Sequence, residues 1–113
     1  MSFRCKDKDG IWVSCSQVCW DIHILSDHHE MKGCEVYVQT AISNPYQIYQ
    51  DSANIRKKII YKPFILPKPF HTQYLRVVIE YKRKPFSGLK GYVLSAFPCA
   101  NIKKGDILIW TAI

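Results

Sequence analysis

The sequence predicts an α+β fold: two amphipathic helices packed on a four- to five-stranded antiparallel sheet, with a short N-terminal hairpin. Three observations lead there. The spacing of apolar residues changes along the chain from a period of two to a helical period and back to two. The helical spacings come first and the strand-forming runs follow, so the two kinds of element are segregated. The connections between the later runs are too short to hold crossover helices, which leaves antiparallel pairing for successive strands. A chain of 113 residues has apolar material for one core, so 1–113 is read as a single domain.

Each element has its own signal. Residues 2–6 and 11–14 flank Asp9-Gly10, a pair that favours a tight turn, and both flanks carry strand-forming residues. Over residues 16–27, Val18, Ile22 and Leu25 recur at i, i+4 and i+7, with Ser14 or Ser16 available to cap the first turn. Over residues 33–43, Cys34, Tyr37, Val38, Ala41 and Ile42 make a second helical stripe, which Asn44-Pro45 ends. Residues 46–50, 55–62, 74–82 and 91–97 are rich in Ile, Val, Tyr and Phe and read as strands. Clusters of proline, glycine and lysine at 63–70, 83–91 and 98–105 separate the last three and end the series. Residues 106–110 add an edge strand or pad the core.

Composition narrows the function classes. A hydrophobic fraction of 48% with 22% charged residues is that of a globular chain rather than a disordered one. Sixteen Lys and Arg against nine Asp and Glu give a net charge of +7, a field that attracts polyanions, although surplus lysine also keeps a chain in solution. No apolar run approaches the roughly 18 residues of a membrane helix, and the first residues carry no signal-peptide stretch, so no membrane partner is expected and the cytoplasm is the expected compartment. Five cysteines, an odd number, are expected as reduced thiols. Cys15, Cys19 and His23 recur at i, i+4 and i+8, yet three ligands strung along one helix converge poorly on one ion, so neither a metal nor a cofactor is expected.

Two stretches carry chemistry. Three of the four histidines, His23, His28 and His29, gather around the end of the first helical segment, where Asp27 lies four residues beyond His23 and can hold its imidazole. In the run from Arg56 to Lys62, a period of two places Arg56, Lys58 and Lys62 on one strand face and Lys57 with Tyr61 on the other. Solvated loop histidines and a lysine-protected edge strand would look alike at this level.

The string His23-Ile24-Leu25-Ser26-Asp27-His28-His29-Glu30-Met31 resembles the conserved block of small phage and bacterial nuclease domains of the barnase, EndoU, colicin and RelE-like type, the PBECR domains. Ala41 to Pro45 followed by Ile48-Tyr49 is similar to that family's helix end and the step after it. Tyr61-Lys62, Leu75 to Tyr81 and Val93 to Phe97 are similar to its strands, with Lys103-Lys104-Gly105 and Trp110 closing. Asp27, His29, Ser95 and Phe97 stand where the family has arginine, proline, threonine and tyrosine, and Phe97 has no hydroxyl to donate.

The resemblance implies a metal-independent endoribonuclease, a toxin or effector whose partners are RNA and an acidic immunity or antitoxin protein. Such cleavage needs a base for the 2′-hydroxyl proton, an acid for the leaving 5′-oxygen and cations for charge developing on phosphorus. In that assignment His28 or His23 acts as base or acid and Glu30 orients it or shares the work. Lys62, with Arg56 or Lys58, holds the phosphate beside Tyr61, and Ser95 donates a hydrogen bond to a phosphate oxygen. The competing reading is a non-catalytic nucleic-acid-binding module, in which Tyr46, Tyr49, Tyr61, Tyr81 and Phe97 on a basic sheet offer stacking surfaces. A phage-related structural or interaction protein is the third.

Overall fold

Alternation of side chains decides the strands. In residues 74–84, Leu75, Val77, Ile79 and Tyr81 are buried while Tyr74, Arg76, Val78 and Glu80 between them are not, as a pleated strand with one packed face requires. A computed structural model describes residues 2–113. In it this segment is β5 (Tyr74–Lys84), alongside β1 (Phe3–Lys6), β2 (Trp12–Cys15), β3 (Gln47–Gln50), β4 (Lys57–Pro63), β6 (Gly88–Cys99) and β7 (Ile107–Thr111). All seven form one sheet in the order β1-β2-β6-β5-β4-β3-β7.

This corrects the expected four- to five-stranded antiparallel sheet. The observed sheet is mixed, because β2 pairs parallel with β6 through Val13↔Gly91 and Ser14↔Tyr92, while every other neighbouring pair is antiparallel. The N-terminal hairpin forms as read, with Phe3 opposite Cys15 and Lys6 opposite Trp12. Its docking onto β6 joins segments remote in sequence, which no local spacing reports. The strands β5 and β6 also run further than expected. The lysine-rich cluster taken as a separator continues the ladder, with Lys82 opposite Lys90 and Lys84 opposite Gly88.

Two packed helices are corrected to one. The second segment is α1 (Glu35–Ser43), preceded by Gly33 in the left-handed conformation (φ +79°), which lets the chain turn into the helix. It buries Val38, Ala41 and Ile42 against the sheet and stops at Asn44. The first segment, in contrast, winds into a π-helical turn, Cys19–Ile24, in which the Leu25 N–H reaches back five residues to the Trp20 carbonyl at 2.9 Å. Ser16 does cap it, its Oγ accepting from the Cys19 N–H at 3.0 Å. The wider winding changes the buried face. Trp20 and Ile24 enter the core, whereas Val18 and Ile22 of the expected stripe are 64% and 60% exposed.

The sheet therefore has two unlike faces. The packed face, under α1 and the π turn, holds the core of Val13, Trp20, Ile24, Met31, Val38, Ile42, Ile60, Leu75, Val77 and Ile79. The opposite face carries the alternate residues, among them Trp12, Tyr61, Arg76, Tyr92 and Phe97. Because β6 and β7 lie at different positions in the strand order, the connection 100–106 crosses this second face. It does so over β4, where the Lys103 N–H donates to the Tyr61 hydroxyl at 3.2 Å. Tyr61 and Ile59 are only 1% exposed.

Where β2 meets β6, Gly91 leaves no room for a side chain. A Cβ there would lie 2.9 Å from Val13 Cγ2, 3.0 Å from Ile79 Cγ2 and 3.1 Å from Tyr81 Cε1. All three neighbours are themselves buried, so none can swing away. Gly91→Ala is expected to destabilise the protein by about 1–3 kcal/mol through overpacking, read as a lower urea midpoint at unchanged slope. An unchanged or raised midpoint would show that the two strands do not meet this closely.

Candidate functional site

The open face is built around Phe97. Ala96 on β6 turns inward to the core, so Phe97 turns outward, opposite Arg76 on β5. The His28 ring lies on Phe97 with centroids 4.5 Å apart and planes 18° apart, and the Arg76 guanidinium lies 5.3 Å from the same ring. Arg76 Nε donates to the Tyr61 hydroxyl at 3.2 Å, and Tyr61 packs edge-on against Tyr49 and Tyr74 at 5.5 and 6.0 Å. An imidazole, a guanidinium and a phenol are thus joined through one aromatic stack.

His28 reaches this position because the segment after β2 runs along the edge of β6 beyond Tyr92, the last β6 residue paired with β2. Two thiols fasten it. The buried Cys15 thiol donates to the Ser16 carbonyl at 3.7 Å, and the neighbouring Cys19 together with desolvation pushes its pKa well above the ordinary thiol range; the Cys19 thiol donates to the Val93 carbonyl at 3.0 Å. The chain then leaves the π turn with the His28 N–H bonded to the Ile24 carbonyl at 2.8 Å and enters a 3₁₀ turn, His29–Met31, whose Met31 is buried. That turn sets Glu30 against His28, Oε1 lying 3.3 Å from Nδ1. With Nδ1 facing the carboxylate, Nε2 is the ring nitrogen left to meet a ligand.

Of the residues singled out in the sequence, His28, Glu30, Tyr61 and Ser95 come to this face. Ser95, opposite Val78, shares it with Phe97 two residues on. Lys62 does not: it lies opposite Leu75, whose side chain is in the packed core, so Lys62 and Tyr61 point to opposite sides of the sheet. Lys58 is on the packed side as well, its Nζ 5.2 Å from the Tyr81 ring at a cavity of about 150 Å³ that Asp7 and Trp110 also line. There Tyr81 donates to Asp7 at 2.7 Å, and burial together with that carboxylate raises its pKa far above the usual phenol range.

Arg56 precedes β4, so the expected face of three cations is reduced to two, and Ile60 between them belongs to the core. His23 is exposed on the π turn, and among the described residues no ion pair joins it to Asp27. Nor, among the described residues, does any group of three or more His, Cys, Asp and Glu side chains come together as a metal site. Among the described residues no helix is long and apolar enough to cross a membrane.

Arg76 was missed by the sequence reading, although it left a signal. It is a lone cation inside Tyr-Leu-Arg-Val-Val-Ile, a run that otherwise reads as a central strand. Compared with family models, curated proteins and solved structures, the chain matches none of them.

The stack makes a spectroscopic prediction. The ring protons of His28 should resonate upfield of a free histidine because Phe97 lies over them, and in Phe97→Leu they should return to ordinary positions with His23 and His29 unaffected. Unshifted His28 protons in the wild-type chain would refute the stack.

Proposed function

We propose that this chain is a metal-independent endoribonuclease acting at the His28–Glu30 pair. The observation that carries the reading is that pair itself: an imidazole with a carboxylate 3.3 Å from Nδ1, its ring fixed on Phe97 beside Arg76. The resemblance of residues 23–31 to the PBECR block and the net charge of +7 support it.

In this reading Glu30 fixes the ring and its tautomer, and His28 Nε2 takes the proton of an RNA 2′-hydroxyl. The 2′-oxygen attacks phosphorus, the bond to the 5′-oxygen breaks, and that oxygen leaves with a proton drawn from water. The products are a 2′,3′-cyclic phosphate and a 5′-hydroxyl end. Arg76 supplies the cation for charge developing on the phosphoryl oxygens, the role that the sequence had suggested for Lys62, and Ser95 donates to one of them. Phe97 contributes no proton and acts as the platform for His28. A chain of this activity would be a toxin or effector held in check by a partner with an acidic surface.

Incubation with labelled RNA in EDTA should give shortened products ending in cyclic phosphate. His28→Ala should slow their formation by about 100-fold or more, the scale of a lost general base. Arg76→Gln should lower the rate at saturating RNA, and Lys62→Gln should leave that rate intact. Cleavage that returns only on adding magnesium, or equal losses in Lys62→Gln and Arg76→Gln, would overturn the assignment.

A further inference from the structure

The same open face continues from Tyr92 across β2 to β1, and its chemistry there is different. By the pleat and the register, Arg4, Lys6, Trp12, Ser14, Tyr92, Lys90 and Lys82 all project to this side: Arg4 is opposite Ser14, Lys6 opposite Trp12, Ser14 beside Tyr92, and Lys82 opposite Lys90. The cations lie on the aromatics. Arg4 Cζ is 3.9 Å and Lys6 Nζ 5.1 Å from the Trp12 ring, and Lys82 and Lys84 Nζ are 5.8 and 5.5 Å from the Tyr92 ring. Between the two rings runs a groove of about 280 Å³ lined by Arg4, Trp12, Ser14, Lys90, Gly91 and Tyr92.

Three features give this surface a definite partner. First, its charge is one-sided: against Arg4, Lys6, Lys82, Lys84 and Lys90 stands Glu80 alone, 3.6 Å from Lys82. Setting Lys82 directly opposite Lys90 costs stability, and a bound polyanion relieves that cost. Second, three of the cations do not sit on an edge strand: Lys82, Lys84 and Lys90 belong to β5 and β6, inside the strand order, whereas Arg4 and Lys6 are on the edge strand β1 and the other edge, β7, is the uncharged Ile-Leu-Ile-Trp-Thr. Third, Trp12 remains 38% exposed despite Arg4, and it stands on the strand next to Tyr92, two residues out of register, about 7–8 Å away by the spacing of a sheet. Two π faces at that stride, ringed by cations, match two neighbouring bases of an unpaired strand and the phosphates that link them. A duplex keeps its bases stacked inside and would offer these rings nothing.

We propose that the Trp12–Tyr92 groove is a docking site for single-stranded nucleic acid, with bases stacked on the two rings and phosphates held by Arg4, Lys6, Lys82, Lys84 and Lys90. The site rests on this layout alone, not on the nuclease reading; it shares β5 and β6 with Arg76 and Phe97 but takes Arg4, Lys6 and Trp12 from β1 and β2.

The test uses the full chain and a labelled 2′-O-methyl RNA strand of about twelve nucleotides, which spans the groove and lacks the hydroxyl needed for self-cleavage. Anisotropy should show salt-dependent binding to this strand and to the deoxy strand of the same sequence, and weaker binding to the duplex. Trp12→Ala and Tyr92→Ala should each weaken it about tenfold, the scale of one lost stack, while Trp12→Phe and Tyr92→Phe retain most of it and show that the fold is intact. Lys82→Gln with Lys90→Gln should reduce the salt slope by about 1.4, whereas Lys68→Gln in the loop before β5 should change neither affinity nor slope. Equal affinity for duplex, or a Lys68→Gln effect as large as the ring variants, would overturn the proposal. RNA cleavage unaffected by Trp12→Ala at subsaturating RNA would remove the dock and leave the nuclease standing. Binding lost on Trp12→Ala in a chain that cuts no RNA would do the reverse.

Discussion

The contact between Val13 and Gly91 is the constraint on which the architecture turns. Only a residue without a side chain lets β2 come alongside β6 with Val13, Ile79 and Tyr81 all buried around the junction. The parallel pairing is short, two residues long, yet it attaches the entire N-terminal hairpin to the sheet. Around it the chain adds ties of other kinds. Asp7 in the hairpin turn accepts from Tyr81 on β5, Ser43 at the end of α1 donates to the Lys6 carbonyl at 2.6 Å, and the Cys15–Cys19 thiols carry the chain on to Val93. Because β2 stops pairing at Tyr92, the rest of β6 has a free edge for the His28 segment to follow. One glycine therefore fixes both the reach of the open face and the place at which the histidine arrives.

The two faces of the sheet hold their lysines and arginines in different numbers. On the packed side, Lys58 lies over the Tyr81 ring at the cavity that Asp7 also lines, and Lys62 stands opposite Leu75. On the open side the cations rest on rings: Arg4 on Trp12, Arg76 on Phe97, Lys82 and Lys84 on Tyr92. Weakly hydrated guanidinium groups held over aromatic planes are already partly stripped of water and fixed in direction, which lowers the entropy lost when an anion arrives.

β5 was legible because it alternates cleanly between buried and half-exposed residues; Leu75, Val77 and Ile79 announce it without help from the rest of the chain, while the other strands were read from their Ile, Val, Tyr and Phe content. α1 was legible for a similar reason, with Cys34, Val38, Ala41 and Ile42 on one stripe and Asn44-Pro45 behind them. The first helical segment was not. Its winding is set by where Trp20 can enter the core, a tertiary demand that overrides the spacing of Val18 and Ile22. The parallel seam was equally out of reach, since Gly91 in sequence looks like a breaker and shows its purpose only when Val13 is beside it. In the candidate site, histidine clustering pointed to the segment whose His28 lies on Phe97, and the period of two put Tyr61 and Lys62 on opposite faces, as the register does. Which of those faces was open to solvent depended on the helix packing on the other, and the period alone is silent about that.

The crossing of residues 100–106 over the open face also imposes an order of assembly. Strands β3 to β6 form a meander of hairpins, whose contacts are local and can close early. β7 pairs with β3 and the strap leading to it rests on Tyr61 of β4, so its contacts are complete only when both strands are in place. The last strand is thus a latch, closed against β3 and holding its strap over β4. Until the latch closes, Ile59 and Tyr61 lie bare on the side of the sheet that faces water.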